Sequence, residues 1–334
     1  MVIKLLVTLL LALLLHPEPV YSSEKKVVIY SSRKWQLLEP LLEEYSAKTG
    51  VRVVFVAGKE GEMLERLQEE ESNTQADLYY TTDAGYLWKA AQAGLLQPID
   101  SPVLEANIPA EYQAPDNSWF GLSMRVRAIV YNTLSDAAEN LKSYEELASE
   151  SWKGRLVLCS SRTISSKSMV ASLIALHGRQ KAEEIVSGWV GNQVVTPFST
   201  DQTALEAIAA GIGDVTMVNS YYFARLLRTR PGLPLAVFWP NQETSGVHVN
   251  ISGAGLTRWS EQKAEAIKLL EWLSGNEAQA LLANEIMEFP VNPQVPPHQS
   301  FNRWGPFLIN PVSASQYGEL HDEALEVMRA AKYR

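Results

Sequence analysis

"KVVIYSSRKWQLLEPLLEEYSAKTGVRVVFV", residues 26–56, decides the fold. KVVIY is an unbroken apolar run of strand length. The stretch from Trp35 then repeats apolar residues at helical spacing as far as Gly50, a stop signal. VRVVFV is a second strand. Pro40 interrupts the helical pattern and marks either a kink or a late start. The alternation continues: "EGEMLERLQEEE" (60–71) predicts a helix with its charges outward, and "ADLYYTT" (76–82) predicts a strand. Asp83 is placed to cap a helix over "AGYLWKAAQAG" (84–94). Strands and helices alternating through short connections predict an α/β fold, a mainly parallel sheet covered by helices.

Further along, "DNSWFGLSMRVRAIVYN" (116–132) has turn residues followed by two extended runs. A second α/β series then runs from "SYEELAS" (143–149) to the helix that begins near "NSYYFARLL" (219–227). "GVHVNISGAGLTR" (246–258) is extended again, ahead of helices over 260–275 and 276–285. Two series joined by extended segments, with the chain returning late, predict two lobes connected by crossing strands. The approximate bounds are 23–124 plus 252–300 for the first lobe and 125–251 plus 301–334 for the second. The expected ligand site is a cleft between lobes, at strand ends and helix N-termini.

The start of the chain reads as a secretory leader. Lys4 precedes the apolar run Leu5–Leu15, broken only by Thr8, and Val20-Tyr21-Ser22 ends it in small residues. Cleavage is expected after Ser22. The run is too short to span a bilayer, and no cysteine follows it to carry a lipid anchor. The expected product is soluble and exported. Hydrophobic residues at 46% and charged ones at 20% are globular values and exclude a disordered chain. A net charge of −9 without a basic cluster argues against a nucleic-acid partner. The single cysteine, Cys159, excludes an intramolecular disulfide and reads as a small buried side chain. No nucleophile elbow, zinc-binding helix, phosphate loop or dinucleotide fingerprint is present, and the histidines are scattered. An exported two-lobed chain without catalytic signatures is a binding protein, not an enzyme, with an exported enzyme as the least favoured class.

Tyr221 and Tyr222 raise a separate question. In a strand they would face opposite ways, whereas in the first turn of a helix they are about 100° apart and can converge on one point. A ring in the core capped by its neighbour is the plain alternative.

"YSSRKW" (30–35), "GKEGEMLERL" (58–67), "ADLYYTTDAGYLWKAAQAGLLQPI" (76–99), "WFGLSMRVRAIVYN" (119–132), "NSYYFARLL" and "FWPNQETSGVHVNISGAG" (238–255) together carry a resemblance. In this order they resemble the periplasmic ferric-iron-binding proteins of ABC importers, the transferrin-like iron binders of the type II periplasmic-binding-protein fold. The resemblance implies a two-lobed fold with the cleft between lobes, and ferric iron (Fe3+) as cargo with a synergistic anion or chelator. It also implies a permease partner, a periplasmic location and a monomer. In that family the adjacent tyrosines are both iron ligands, a role that falls here on Tyr221 and Tyr222. Phenolate suits iron(III), a hard cation, because it brings charge as well as oxygen, and binding must displace its proton.

The chain departs from the family at two places. Lys34-Trp35 stands where a histidine–tyrosine pair is common, and Ser165, within "TISSKSMVASL" (163–173), stands where a further ligand tyrosine lies. Neither lysine nor tryptophan offers a usable lone pair at neutral pH. With Arg33 in the same turn, and with Arg125 and Arg127 alternating along a strand, the replacements make the cleft more positive. One of Arg125 and Arg127 is expected to face the cleft and the other solvent. Trp35 is placed either to stack on a ligand or to pack in the core. A ligand set of Arg33, Lys34, Trp35, Arg125, Ser165, Tyr221 and Tyr222 also suits a metal-free carboxylate, phosphate or phosphonate, the alternative cargo.

Overall fold

A computed structural model describes residues 25–334, so the expected leader Met1–Ser22 lies outside the described residues. The chain opens with β1 (Lys26–Ser31), α1 (Trp35–Thr49), β2 (Arg52–Ala57), α2 (Glu60–Glu70), β3 (Leu78–Thr81) and α3 (Ala84–Gln92), the alternation expected. α1 starts ahead of Pro40 and contains it. Gly50 ends α1 in the left-handed region (φ 70°), its N–H returning to Ser46 O at 2.9 Å, which a side chain there would strain. Asp83 occupies the N-cap position of α3, but its carboxylate accepts from Asn250 Nδ2 at 2.7 Å instead of bonding the helix.

The remaining elements are β4 (Leu96–Gln97), α4 (Pro102–Asn107), β5 (Phe120–Asn132), α5 (Ala137–Asn140), β6 (Leu156–Val157), α6 (Ile164–His177), α7 (Arg179–Asn192) and α8 (Asp201–Ala209). β7 (Val215–Asn219), α9 (Ser220–Thr229), β8 (Leu235–Phe238), β9 (Val249–Thr257), α10 (Lys263–Ser274) and α11 (Asn276–Leu281) follow. A wide turn, Leu282–Ile286, continues α11, and α12 (Ala314–Glu319) and α13 (His321–Ala330) close the chain.

The strand order is β2-β1-β3-β9-β5-β7-β6, with β4 on β9 and β8 on β5. Region 116–132, expected as two extended runs, forms one strand, β5, with a register shift between Gly121 and Ser123. Its first half pairs with β9, from Phe120↔Ala254 to Val126↔Val249, and its second half pairs with β7 and β8. One strand therefore belongs to both lobes. Parallel pairing joins β1 to β2 and β3, and β6 to β7; the crossing strands pair antiparallel. The sheet is thus mixed, because helical crossovers set strand direction only within a βαβ run, and β5 and β9 pass between lobes without one. Gly253 on β9 sits so close to β5 that a Cβ would lie 2.3 Å from Phe120 O.

Residues 301–334, expected in the second lobe, place α13 against α6 and α7 but α12 against α3 of the first. Phe223 of α9 stacks on Trp304 at 5.3 Å, fixing the tyrosine-bearing helix to the late connecting segment.

Candidate functional site

Five helices, α1, α2, α3, α8 (through Gln202) and α9, begin around one cavity of about 520 Å³. Ser32, Arg33 and Lys34 reach it from the turn before α1, Glu60 from the first residue of α2, and Thr82 from the turn before α3. Tyr221, Tyr222 and Arg225 come from the first turns of α9, Arg125 from β5, and Glu288 from the chain after the wide turn. Helix N-termini present unpaired N–H groups and a partial positive charge, which favours anionic groups here.

The two tyrosines are the second and third residues of α9, with ring centroids 4.5 Å apart. Tyr221 is buried and Tyr222 half-buried. The Tyr221 hydroxyl accepts from Arg125 Nη2 at 2.6 Å and from Asn219 Nδ2 at 3.3 Å. Arg125 also donates Nη1 to Thr82 O at 2.7 Å, so one guanidinium joins the end of β3 to α9. The charge of Tyr221 and then burial push the Tyr222 phenol well above its ordinary value, and Arg125 opposes them only in part. Two phenols this close resist losing both protons unless a cation sits between them.

Arg33 is not at the mouth of the cleft. It is buried and donates Nη1 and Nη2 to the two Glu288 carboxylate oxygens at 3.0 and 3.1 Å. Ser123 Oγ donates to the same carboxylate. Burial raises the Glu288 pKa, but Arg33 and Arg125 outweigh it and hold the carboxyl below its ordinary value. Lys34 is exposed at the rim and has no ion-pair partner among the described residues. Trp35 packs on Phe55, with centroids 5.3 Å apart, and is absent from the cavity wall. Arg125 lines the cavity. Arg127, for which solvent was the expected alternative, is buried: its Nη1 lies 2.9 and 3.1 Å from the Asp201 carboxylate oxygens. Two positions apart on β5, the arginines share a face, and the start of α8 brings Asp201 to Arg127 there, beside the cavity that Arg125 lines. Ser165 lines an adjoining cavity of about 260 Å³ whose wall shares Glu60, Thr82, Arg125 and Tyr222 with the first.

Three charged wall residues, Arg225, Glu60 and Glu288, were not singled out from sequence. Arg225 carried a usable signal, standing four residues after Tyr221 on one helix face. Glu60 opens a helix after a strand, the same place in its unit as the Arg33 turn. Glu288 lies in irregular chain and gave no pattern to read. None of the four described histidines lines the cavity, and among the described residues no group of three His, Cys, Asp or Glu side chains is placed to hold a metal ion. A metal here would rest on the phenols.

The family described as "Bacterial extracellular solute-binding protein" matches residues 73–307. Iron uptake protein A1 of Synechocystis sp. is 36% identical, over 93% of this chain and 88% of its own length. The major ferric iron-binding protein of Neisseria meningitidis is 25% identical over 80% of this chain and 82% of its own. Among solved structures, Trichodesmium IdiA (FutA), in complex with iron and citrate ligands, superposes with a TM-score of 0.87 at 39% identity, covering 92% of this chain and all of that one. The ferric binding protein from Campylobacter jejuni superposes with a TM-score of 0.87 at 30% identity, again over 92% of this chain and all of its own.

Proposed function

This chain belongs to the bacterial extracellular solute-binding proteins, and from that premise we propose that it captures ferric iron in the interlobe cleft and delivers it to an ABC importer. Its fold is the two-lobed type II periplasmic-binding-protein fold, and it is a transport protein, not an enzyme. The observation that carries the iron reading is the Tyr221–Tyr222 pair, two phenols 4.5 Å apart at a helix start. Their mutual repulsion is relieved by a trivalent cation, which takes both protons' places at once. Glu60 adds a carboxylate on the same wall. Three oxygen donors leave an iron(III) ion short of ligands, so a chelating anion such as a hydroxycarboxylate completes the shell. Arg125 and the helix N-termini are the groups that hold it, and Ser165 in place of a tyrosine gives it room.

Export by the leader places the protein in the periplasm, as a monomer that meets the importer's permease. No helix among the described residues is long and apolar enough to cross a membrane. A second reading, a metal-free organic anion, draws on the charge of the wall, where Arg33, Lys34, Arg125 and Arg225 face only Glu60 and Glu288 as carboxylates. Colour decides between them. Ferric iron with citrate should give a visible tyrosinate-to-iron charge-transfer band that Tyr222→Phe abolishes or strongly shifts. A colourless protein whose anion affinity ignores added iron would sink the iron reading in favour of the second.

A further inference from the structure

We propose that Arg225 is a cross-cleft latch that ties the tyrosine-bearing helix to the first lobe and stabilises the narrow form of the cleft. That α9 is the helix that matters rests on the reading above, whereas the contact itself stands on the geometry of α9 and the wide turn.

Arg225 donates Nε to Ile286 O at 2.9 Å and Nη2 to the same oxygen. Ile286 closes the wide turn Leu282–Ile286, and Met287, at φ 59°, ends the helical run. A carbonyl in the last turn of a helix has no intrahelical donor and carries the negative end of the peptide dipoles. It is an acceptor that an arginine fork can fill. The turn packs against α1, in the first lobe, whereas α9 packs on β5, β7 and α8 in the second. The bond therefore spans the cleft. The guanidinium also covers the Tyr221 ring, 4.7 Å from its centroid, so the latch and the ligand pair share one side chain.

Among the described residues no carboxylate holds the arginine in place, and burial works against its charge, with Glu288 and the two tyrosines opposing. A half-buried cation whose main hydrogen-bonding partner is one carbonyl gains hydration when the lobes part. The Arg225 contact and the Arg125 bridge between Thr82 O and the Tyr221 hydroxyl are thus the charge-assisted bonds that separate a narrow cleft from an open one, few enough for a ligand to shift the balance.

The test compares wild type, Arg225→Gln and Arg225→Lys as full mature protein, free of iron. Small-angle scattering should show a larger radius of gyration for Arg225→Gln, with Arg225→Lys, which keeps one charged donor, in between. After loading with ferric citrate, transfer of iron to excess chelator should be about tenfold faster in Arg225→Gln, the scale of one charged hydrogen bond. The charge-transfer maximum should stay put. Unchanged scattering in both variants overturns the latch, as does a shifted band at constant radius, which would assign Arg225 to tuning the Tyr221 ring. If no coloured complex forms at all, the scattering still decides the latch; if colour forms but scattering does not move, the latch falls and the iron reading stands.

Discussion

At the scale of single residues, burial redistributes the roles the sequence suggested. Arg33 reads from sequence as a cleft cation, yet its charge is taken up by Glu288 in a buried bidentate pair. Which strand-end arginine is free depends on a carboxylate some 255 positions away, and no local pattern reports that. Glu288→Gln should leave Arg33 buried without a counter-ion and lower stability by about 3–5 kcal/mol, the usual result of breaking a buried pair from one side. Denaturant unfolding measures it; a loss below 1 kcal/mol would mean that water reaches the pair. The Glu288 pKa lies below its ordinary value, so its contribution is complete above the ordinary carboxylate pKa and fades as pH falls through the folded value. Acid should therefore weaken the cleft wall as well as return protons to the phenols. The Tyr222 pKa is raised, so its share of stability is present at neutral pH and is lost as pH climbs above the ordinary phenol value of about 10. An iron-free titration followed by phenolate absorbance should show one fewer late-titrating tyrosine in Tyr222→Phe.

At the scale of elements, periodicity made β1, α1, β2, α2, β3 and α3 legible because each is long and has a covered face. Two-residue strands such as β4 and β6 exist only through their partners and leave no periodic trace. β5, read as two runs, is one strand: the register shift between Gly121 and Ser123 lies within its pairing to β9, and the change of partner to β7 comes between Val126 and Arg127. Of the site, the tyrosine pair was legible because helical spacing converges adjacent side chains, and Arg125 because one face of β5 meets the cleft. Trp35 stood at the right place in the chain but on the side of α1 that meets Phe55. Close pairing of β5 with β9 has its own test. Gly253→Ala would drive a methyl into Phe120 O, and should cost about 1–3 kcal/mol by overpacking, read as a fall in thermal midpoint.

At the scale of the whole molecule, β5 and β9 cross between the lobes and are the expected hinge, so ligand saturation should reduce the radius of gyration. An unchanged radius at saturation would remove the hinge from the mechanism. The mature N-terminus should begin near Ser23, which N-terminal sequencing of exported protein checks directly. The placement of β9 between β3 and β5 has a further consequence, in time instead of space. The first lobe's sheet lacks a central strand until residues 249–257 have been delivered, long after β1, α1, β2 and β3 have left the ribosome. An emerging chain therefore cannot lock into a finished lobe early and stays threadable through a translocation channel. A version ending at residue 245 should show neither the cooperative unfolding nor the protease resistance of the full chain, because its sheet is missing the strand that closes it.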